Sequence, residues 1–169
     1  MGEKQATADR KWISRAFVEH EGPLLRYALG LLQDLDAARD VVQEVFLKLC
    51  RQEQSRIEHR VSAWLFTVCR RQAFDVLRRR KRMVQSSESE QAFGGGEIAG
   101  PIDALAKDET TRAVLAALTD LPTNQQEVVR LRFQNDFSYR EISKITGLSQ
   151  SNVGYLLHTA IKKLREKTQ

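Results

Sequence analysis

A chain of 169 residues with 41% apolar side chains and a formal net charge of +5 has the material for one medium domain or two small ones. No apolar run approaches the ~18 residues of a membrane span, and the opening MGEKQATADRKWISRAF lacks the apolar centre of a signal peptide. Ala6 stands where a myristoylation signal needs Ser or Thr, so a cytoplasmic protein without membrane insertion is expected.

The first half reads as helix after helix. Trp12, Ile13, Ala16 and Phe17 follow helical spacing, and Leu24, Leu25, Ala28, Leu31 and Leu32 resume it after Pro23, a residue suited to a first helical turn. A third helix begins near Asp34 to Asp36 and runs to about Arg51, with Val42, Val45, Phe46 and Leu49 on its apolar side. The polar stretch RQEQSRIEHRV breaks the pattern. Ser62 can then cap AWLFTVCRRQAFDVLRRRKR, whose buried stripe is Leu65, Phe66, Cys69, Ala73, Val76 and Leu77.

From Met83 the composition turns polar, acidic and Gly-rich, as in SSESEQAFGGGEIAGP, which is a linker composition. Periodicity resumes at Ala113, Val114, Ala117, Leu118 and Leu121. Pro122 stops that turn, and Thr123 can cap NQQEVVRLRF. No alternating strand pattern of useful length occurs. The expected fold is all-α: two small helical domains, residues 1–82 and 113–169, joined by a flexible acidic linker, 83–112.

Charge follows the same division. Residues 1–82 carry 17 Lys+Arg against 11 Asp+Glu, residues 83–120 carry 2 against 7, and residues 121–169 carry 8 against 4. Two basic blocks around an acidic one suggest two surfaces that meet polyanions and a connector that avoids bare DNA, although solvated faces would look the same. Cys50 and Cys69 have no CxxC spacing, and His20, His59 and His158 stand apart. A structural zinc site needs clustered ligands, so neither metal nor cofactor is expected, and both cysteines read as buried small hydrophobes.

The stretch FSYREISKITGLSQSNVGYLLHTAIKKLRE near the end of the sequence carries the sharpest local signals. Ser138 is a natural N-cap, and Glu141 three residues later completes a capping box. Gly147 supplies the left-handed conformation that ends a helix, Leu148 can plug the corner and Ser149 can cap the next helix. In that last helix Val153, Leu156 or Leu157, Ala160, Ile161 and Leu164 form an apolar stripe. Gln150, Ser151, Asn152, Tyr155, His158, Thr159, Lys162 and Lys163 lie outside it or at its margins. This is the layout of a helix-turn-helix, whose second helix can enter the major groove and read base edges. A helical hairpin whose polar face meets only water would share the pattern.

These residues resemble the C-terminal domain of bacterial sigma factors of the extracytoplasmic-function (ECF) group. The likeness runs through the Leu-Pro opening at 121–122, Glu-Val before Leu-Arg-Phe, Ser-Tyr-x-Glu-Ile, Gly-Leu-Ser and Leu-His-x-Ala. DAARDVVQEVFLKLCR is similar to the group's polymerase-binding helix, and AWLFTVCRRQAFDVLRRRKR to the helix that helps open promoter DNA. The resemblance covers roughly residues 12–82 and 113–166.

The resemblance implies a task for each block. Asp40, Gln43, Glu44, Leu47, Lys48 and Arg51 would dock on the clamp helices of the largest subunit of core RNA polymerase; the alternative is a solvated face with a Glu44–Lys48 pair. Arg70, Arg71, Arg78, Arg79, Arg80, Lys81 and Arg82 would hold the −10 region of promoter DNA, with Arg56, His59 and Arg60 in the preceding loop capturing unpaired bases. Trp64 would stack on a base or pack in the core. Ser149, Gln150, Ser151, Asn152, Tyr155, His158, Thr159, Lys162 and Lys163 would face the −35 element. Glu88, Glu90 and Glu97 suit a linker that mimics nucleic acid in the polymerase cleft, or a plain tether. An anti-sigma factor is a further partner the family implies.

Some positions depart from the pattern. Recognition helices of this group often carry basic residues where this chain has Gly154, Leu156, Thr159 and Ile161, and fewer cations mean fewer phosphate contacts. The common Asn of the fourth helix is Arg71. The chain shows no constellation for nucleic-acid chemistry, so it is not expected to be an enzyme. The rival reading is a stand-alone helix-turn-helix regulator, which needs neither the 40–51 stripe nor the melting helix.

Overall fold

The computed structural model describes residues 2–86 and 109–168, and the side chains of 10–86, 109 and 112–167. Glu88, Glu90 and Glu97 lie outside the described residues. Among the described residues every regular element is helical, and the chain divides near residue 85 into two compact units.

The first unit opens with α1 (Gly2–Leu32), a single helix with Pro23 inside it rather than at a start. The preceding Gly22 eases the continuity: without a Cβ it is spared part of the clash with the proline ring that pushes other residues out of helical conformation. Packing then holds the second half in place, since Leu24, Tyr27, Ala28, Leu29 and Leu32 are all buried. Gln33, at φ 53, turns the chain into α2 (Leu35–Leu49). Asp34 caps α2, its Oδ1 accepting from the Ala37 amide at 3.0 Å. Ala38, Val41, Val42, Val45, Phe46 and Leu49 form the buried face of α2 against α1, where the rings of Phe17 and Phe46 meet at 4.8 Å.

The polar break at 52–61 is more ordered than its composition suggests. It holds a four-residue α3 (Gln54–Ile57), pinned by buried Ile57, and a 3₁₀ turn at Glu58–Arg60. The chain then runs straight into α4 (Val61–Ser86), so Ser62 lies inside the helix and does not cap it. Leu65, Phe66, Cys69 and Ala73 are the fully buried part of α4, and Phe66 meets Tyr27 of α1 at 5.1 Å between ring centroids. Val76 and Leu77 are only half-buried, and α4 continues to Ser86, past the expected start of the linker at Met83.

Burial pushes the Cys69 thiol up to about 12, in keeping with a core role. Cys50 is different. It is the C-cap of α2, where the chain leaves the core, and its side chain is exposed.

The second unit comprises α5 (Glu109–Thr119), α6 (Thr123–Val129), α7 (Tyr139–Thr146) and α8 (Gln150–Thr168). Helix α5 begins at Glu109, ahead of the expected domain start at 113. Pro122, not Thr123, is the N-cap of α6, with no side-chain cap bond. Gln126 stitches the α5–α6 corner, its amide donating to the carbonyls of Thr119 and Leu121 at 3.0 and 2.8 Å. At Arg130–Gln134 the helix widens into a π turn. Asn135 then donates to the Arg130 carbonyl at 3.0 Å, and the Phe137 amide to the Leu131 carbonyl at 3.1 Å, closing the loop before α7. Helix α8 packs on α5 and α6. Leu118, Leu121, Val128, Leu131, Ile142, Val153, Leu157 and Ala160 are buried, and Lys167 bonds Asp120 at 2.7 Å across the α8 and α5 ends.

Candidate nucleic-acid interface

The α7–turn–α8 corner forms as its local chemistry dictates. The Ser138 amide and hydroxyl both reach Glu141 Oε2 at 2.8 Å, and the Glu141 amide donates to Ser138 Oγ at 3.2 Å, a complete capping box. Gly147 sits at φ +79 and ends α7. The Ser143 hydroxyl donates to the Leu148 carbonyl at 2.6 Å, and Ser149 caps α8 by accepting from the Asn152 amide at 3.1 Å.

One side of α8 is thereby fixed against the core through Val153, Leu156, Leu157 and Ala160, all buried. Ser151, Tyr155, His158 and Lys162, at helical spacing, stand exposed on the opposite side. Gln150, Asn152 and Lys163 are also exposed, and Tyr155 reaches 67% exposure, unusual for an aromatic side chain. Thr159 is half-buried and turned back on its own helix, its hydroxyl donating to the Tyr155 carbonyl at 2.9 Å. Ser149 is exposed but its hydroxyl oxygen is engaged as the cap. Leu156 is a core residue, so no phosphate contact could come from it.

In the first unit, Asp40, Gln43 and Leu47 are exposed along the outer side of α2, with Glu44 and Lys48 half-buried; α2 ends at Leu49, short of the expected Arg51, which is exposed on the turn that follows. Among the described residues no ion pair joins Glu44 to Lys48, so the stripe is not zipped shut by its own charges. Leu47, 49% exposed, opens onto an apolar groove of about 760 Å³ between α1 and α2, lined in part by Ile13, Phe17, Leu25, Phe46 and Cys50. Phe17, which figured in the sequence only as part of a helical spacing with Trp12, Ile13 and Ala16, is 40% exposed.

The basic residues of α4 separate into engaged and outward groups. Arg80 lies on the inward side and pairs with Asp34 at 2.6 Å, tying α4 to the start of α2. That pairing and the amide of Ala37 hold the Asp34 carboxyl below its ordinary range, the amide contributing most. Arg78 pairs with Asp75, the Arg79 Nε donates to the Asp75 carbonyl at 3.4 Å, and the Arg70 guanidinium lies over the Phe74 ring at 4.4 Å. Arg71, Arg78 and Arg82, at positions i, i+7 and i+11, share the outer line with Asp75, and Lys81 is exposed beside them. In the 52–61 segment Arg56 pairs with Glu53 at 2.7 Å, whereas His59 and Arg60 are exposed on the 3₁₀ turn. Trp64 is half-buried. No helix among the described residues is long and apolar enough to cross a membrane, and no cluster of His, Cys, Asp and Glu there could hold a metal ion.

Both units match known families. Residues 16–83 match the model of Sigma-70 region 2, and residues 111–164 match that of Sigma-70, region 4. The chain is 25% identical to the ECF RNA polymerase sigma factor SigM of Bacillus subtilis, over 90% of this chain and 93% of that one. It is 30% identical to the ECF RNA polymerase sigma factor EcfG of Rhodopseudomonas palustris, covering 84% and 77% of the two chains. Among solved structures it shares the fold of the sigma factor RpoE, co-crystallised with the anti-sigma factor NepR, from Bartonella quintana. That likeness has a TM-score of 0.68 and 23% identity, over 90% of this chain and 94% of that one. With a helix-turn-helix in one unit, a basic helix and open α2 stripe in the other, and both sigma regions matched in order, this chain belongs to the ECF RNA polymerase sigma factors.

Proposed function

We propose that the protein binds core RNA polymerase, carries it to promoters with paired −10 and −35 elements, and assists strand opening, while the polymerase alone makes RNA. The observation that carries this reading is the presence of both sigma regions in one chain, each on a folded unit with an exposed polar or basic face. The unit that ends with α4 forms the polymerase-binding and −10 domain, the unit of α5 to α8 the −35 domain, and the residues between α4 and α5 the linker. On α2, Asp40, Gln43, Glu44, Leu47 and Lys48, with Arg51 just past its end, meet the clamp helices of the largest subunit. Leu47 is the apolar anchor and the charges around it set register.

On α4, Arg71, Arg78, Lys81 and Arg82 face the −10 backbone, and His59 and Arg60 stand where unpaired bases would be held. Arg80 is spent on Asp34 and contributes to the fold. On α8, Ser151, Asn152 and Tyr155 face base edges, and Lys162 and Lys163 the flanking phosphates. The complex of RpoE with NepR supports an anti-sigma protein as a further partner. A stand-alone regulator would leave the region 2 match over 16–83 without a role.

Permanganate probing of a promoter plasmid tests strand opening directly. Unpaired thymines near −10 should appear only when this protein and core polymerase are both present. Reactivity with core polymerase alone, or none with both, would contradict the proposal.

A further inference from the structure

Arg80 stands where the buried stripe of α4 would next come round. Cys69 and Ala73, both fully buried, precede it by eleven and seven positions, so all three share one side of the helix. Beyond Ala73 the core thins out. Val76 and Leu77 are half-buried, and from Arg78 to Ser86 every residue is exposed except Arg80. Its Nη2 donates to Asp34 Oδ2 at 2.6 Å. The other oxygen, Oδ1, accepts from the Ala37 amide at 3.0 Å and caps α2. One carboxylate therefore starts the helix that carries Leu47 and holds the outer half of the helix that carries the cations. Arg78 and Arg82 lie two positions either side of Arg80, about 200° around the helix, and so point away from Asp34.

We infer that Arg80 is a positioning residue for strand opening: through Asp34 it fixes the tilt and rotation of outer α4 against α2, and so where Arg78, Lys81 and Arg82 stand relative to the polymerase-binding stripe. The inference rests on the functions proposed for α2 and α4. A helix end that projects past its core can swing. A tilt of about 10° at Ala73 would carry Arg82, nine residues on, by roughly 2 Å at about 1.5 Å of rise per residue. That is enough to break a hydrogen bond to a phosphate oxygen. Opening needs the cations at set places while the polymerase holds the same unit through α2, so a swing impairs opening before it impairs assembly. A partly exposed ion pair contributes little to global stability, so its loss leaves the unit folded and shows in the placement of the arm.

The test uses the full-length protein assembled on core RNA polymerase, and the rate at which thymines near −10 become permanganate-reactive on a promoter mapped from its own transcript starts. Asp34→Asn keeps the capping oxygen and removes the charge that Arg80 meets. Arg80→Met removes the guanidinium and keeps the length. Each should slow opening about 2- to 5-fold, the range an ion pair of this exposure can carry, with co-elution with core polymerase and helical circular dichroism unchanged. The double variant should be no slower than either single one, since both remove the same contact. Arg80→Lys, which can still offer a point charge to the carboxylate, should recover part of the rate. Salt dependence separates positioning from direct contact. Arg80→Met should leave the salt dependence of promoter binding unchanged, whereas Arg82→Met should lower it by about one phosphate contact.

A salt dependence lowered by Arg80→Met, additive losses in the double variant, or opening as fast as wild type in both single variants would overturn the inference and leave the proposed function standing. A loss of opening that tracks a loss of folded protein would overturn it too. A wild-type complex that opens no promoter would remove the proposed function, and the inference with it.

Discussion

Two side chains of the first unit, Asp34 and His20, tie its stability to pH. Asp34 caps α2 and pairs with Arg80, and its carboxyl is held below the ordinary range, first by the Ala37 amide. A depressed carboxyl contributes stability that is present above its unfolded value and lost as pH falls through the folded one. Asp34→Ala should lower unfolding stability by about 1 kcal/mol at neutral pH, the usual worth of an N-cap. Asp34→Asn, which keeps a capping oxygen, should lose less. Urea unfolding of wild type and both variants at pH 7 and again in acid checks this, with the wild type falling toward Asp34→Asn as Asp34 is protonated and the gap between the two variants unchanged.

His20 acts in the same direction. Burial lowers its pKa despite the opposing charge of Glu19, so the unfolded chain binds the proton more readily and stability falls as pH drops below about 6.5. The cysteines give a simpler readout. Cys50 is exposed, and Cys69 is buried with its thiol pushed up to about 12. Alkylation of the native protein at neutral pH should therefore modify Cys50 and spare Cys69 until the chain unfolds. Labelling of Cys69 at a comparable rate would show that α4 opens in the native state.

At the scale of elements, the helix-turn-helix corner was legible because its signals are local. Ser138 with Glu141, then Gly147, then Ser149, each act on backbone within three residues of themselves, and all three formed as read. Gly147 has nothing within 4 Å of a built Cβ, so the cost of a substitution there is conformational alone. Gly147→Ala should destabilise the protein by about 1–2 kcal/mol, and Gly147→Asn by less, as thermal unfolding would show.

What the sequence did not reveal depends on partners distant along the chain. Arg80 reads as one of a run of cations, but it meets Asp34, 46 positions away. Pro23 reads as a helix start, but Gly22 and the packing of Leu24 and Tyr27 carry α1 through it. Cys50 continues the apolar spacing of α2 and is exposed because the helix ends there.

For the whole molecule, the separation of charge into basic ends and an acidic middle matters more than the net value. It predicts DNA binding that weakens with salt, through the cations of α4 and α8. It also predicts that polymerase assembly and DNA contact fail independently. Leu47→Asp puts a charge at the proposed apolar anchor of the α2 stripe, on a side chain half outside the core. It should abolish co-elution with core polymerase while leaving the helical circular dichroism unchanged; retained co-elution would remove Leu47 from the interface. Asn152→Ala, in contrast, should leave assembly intact and alter base preference at one or two positions of the −35 element.

The most direct measurement mixes the protein with core bacterial RNA polymerase and a pool of promoter DNA, then sequences the transcript starts. Defined starts that require the protein and share a two-part upstream motif are the predicted result. Absence of initiation, with tight binding of the protein alone to duplex DNA, would contradict it.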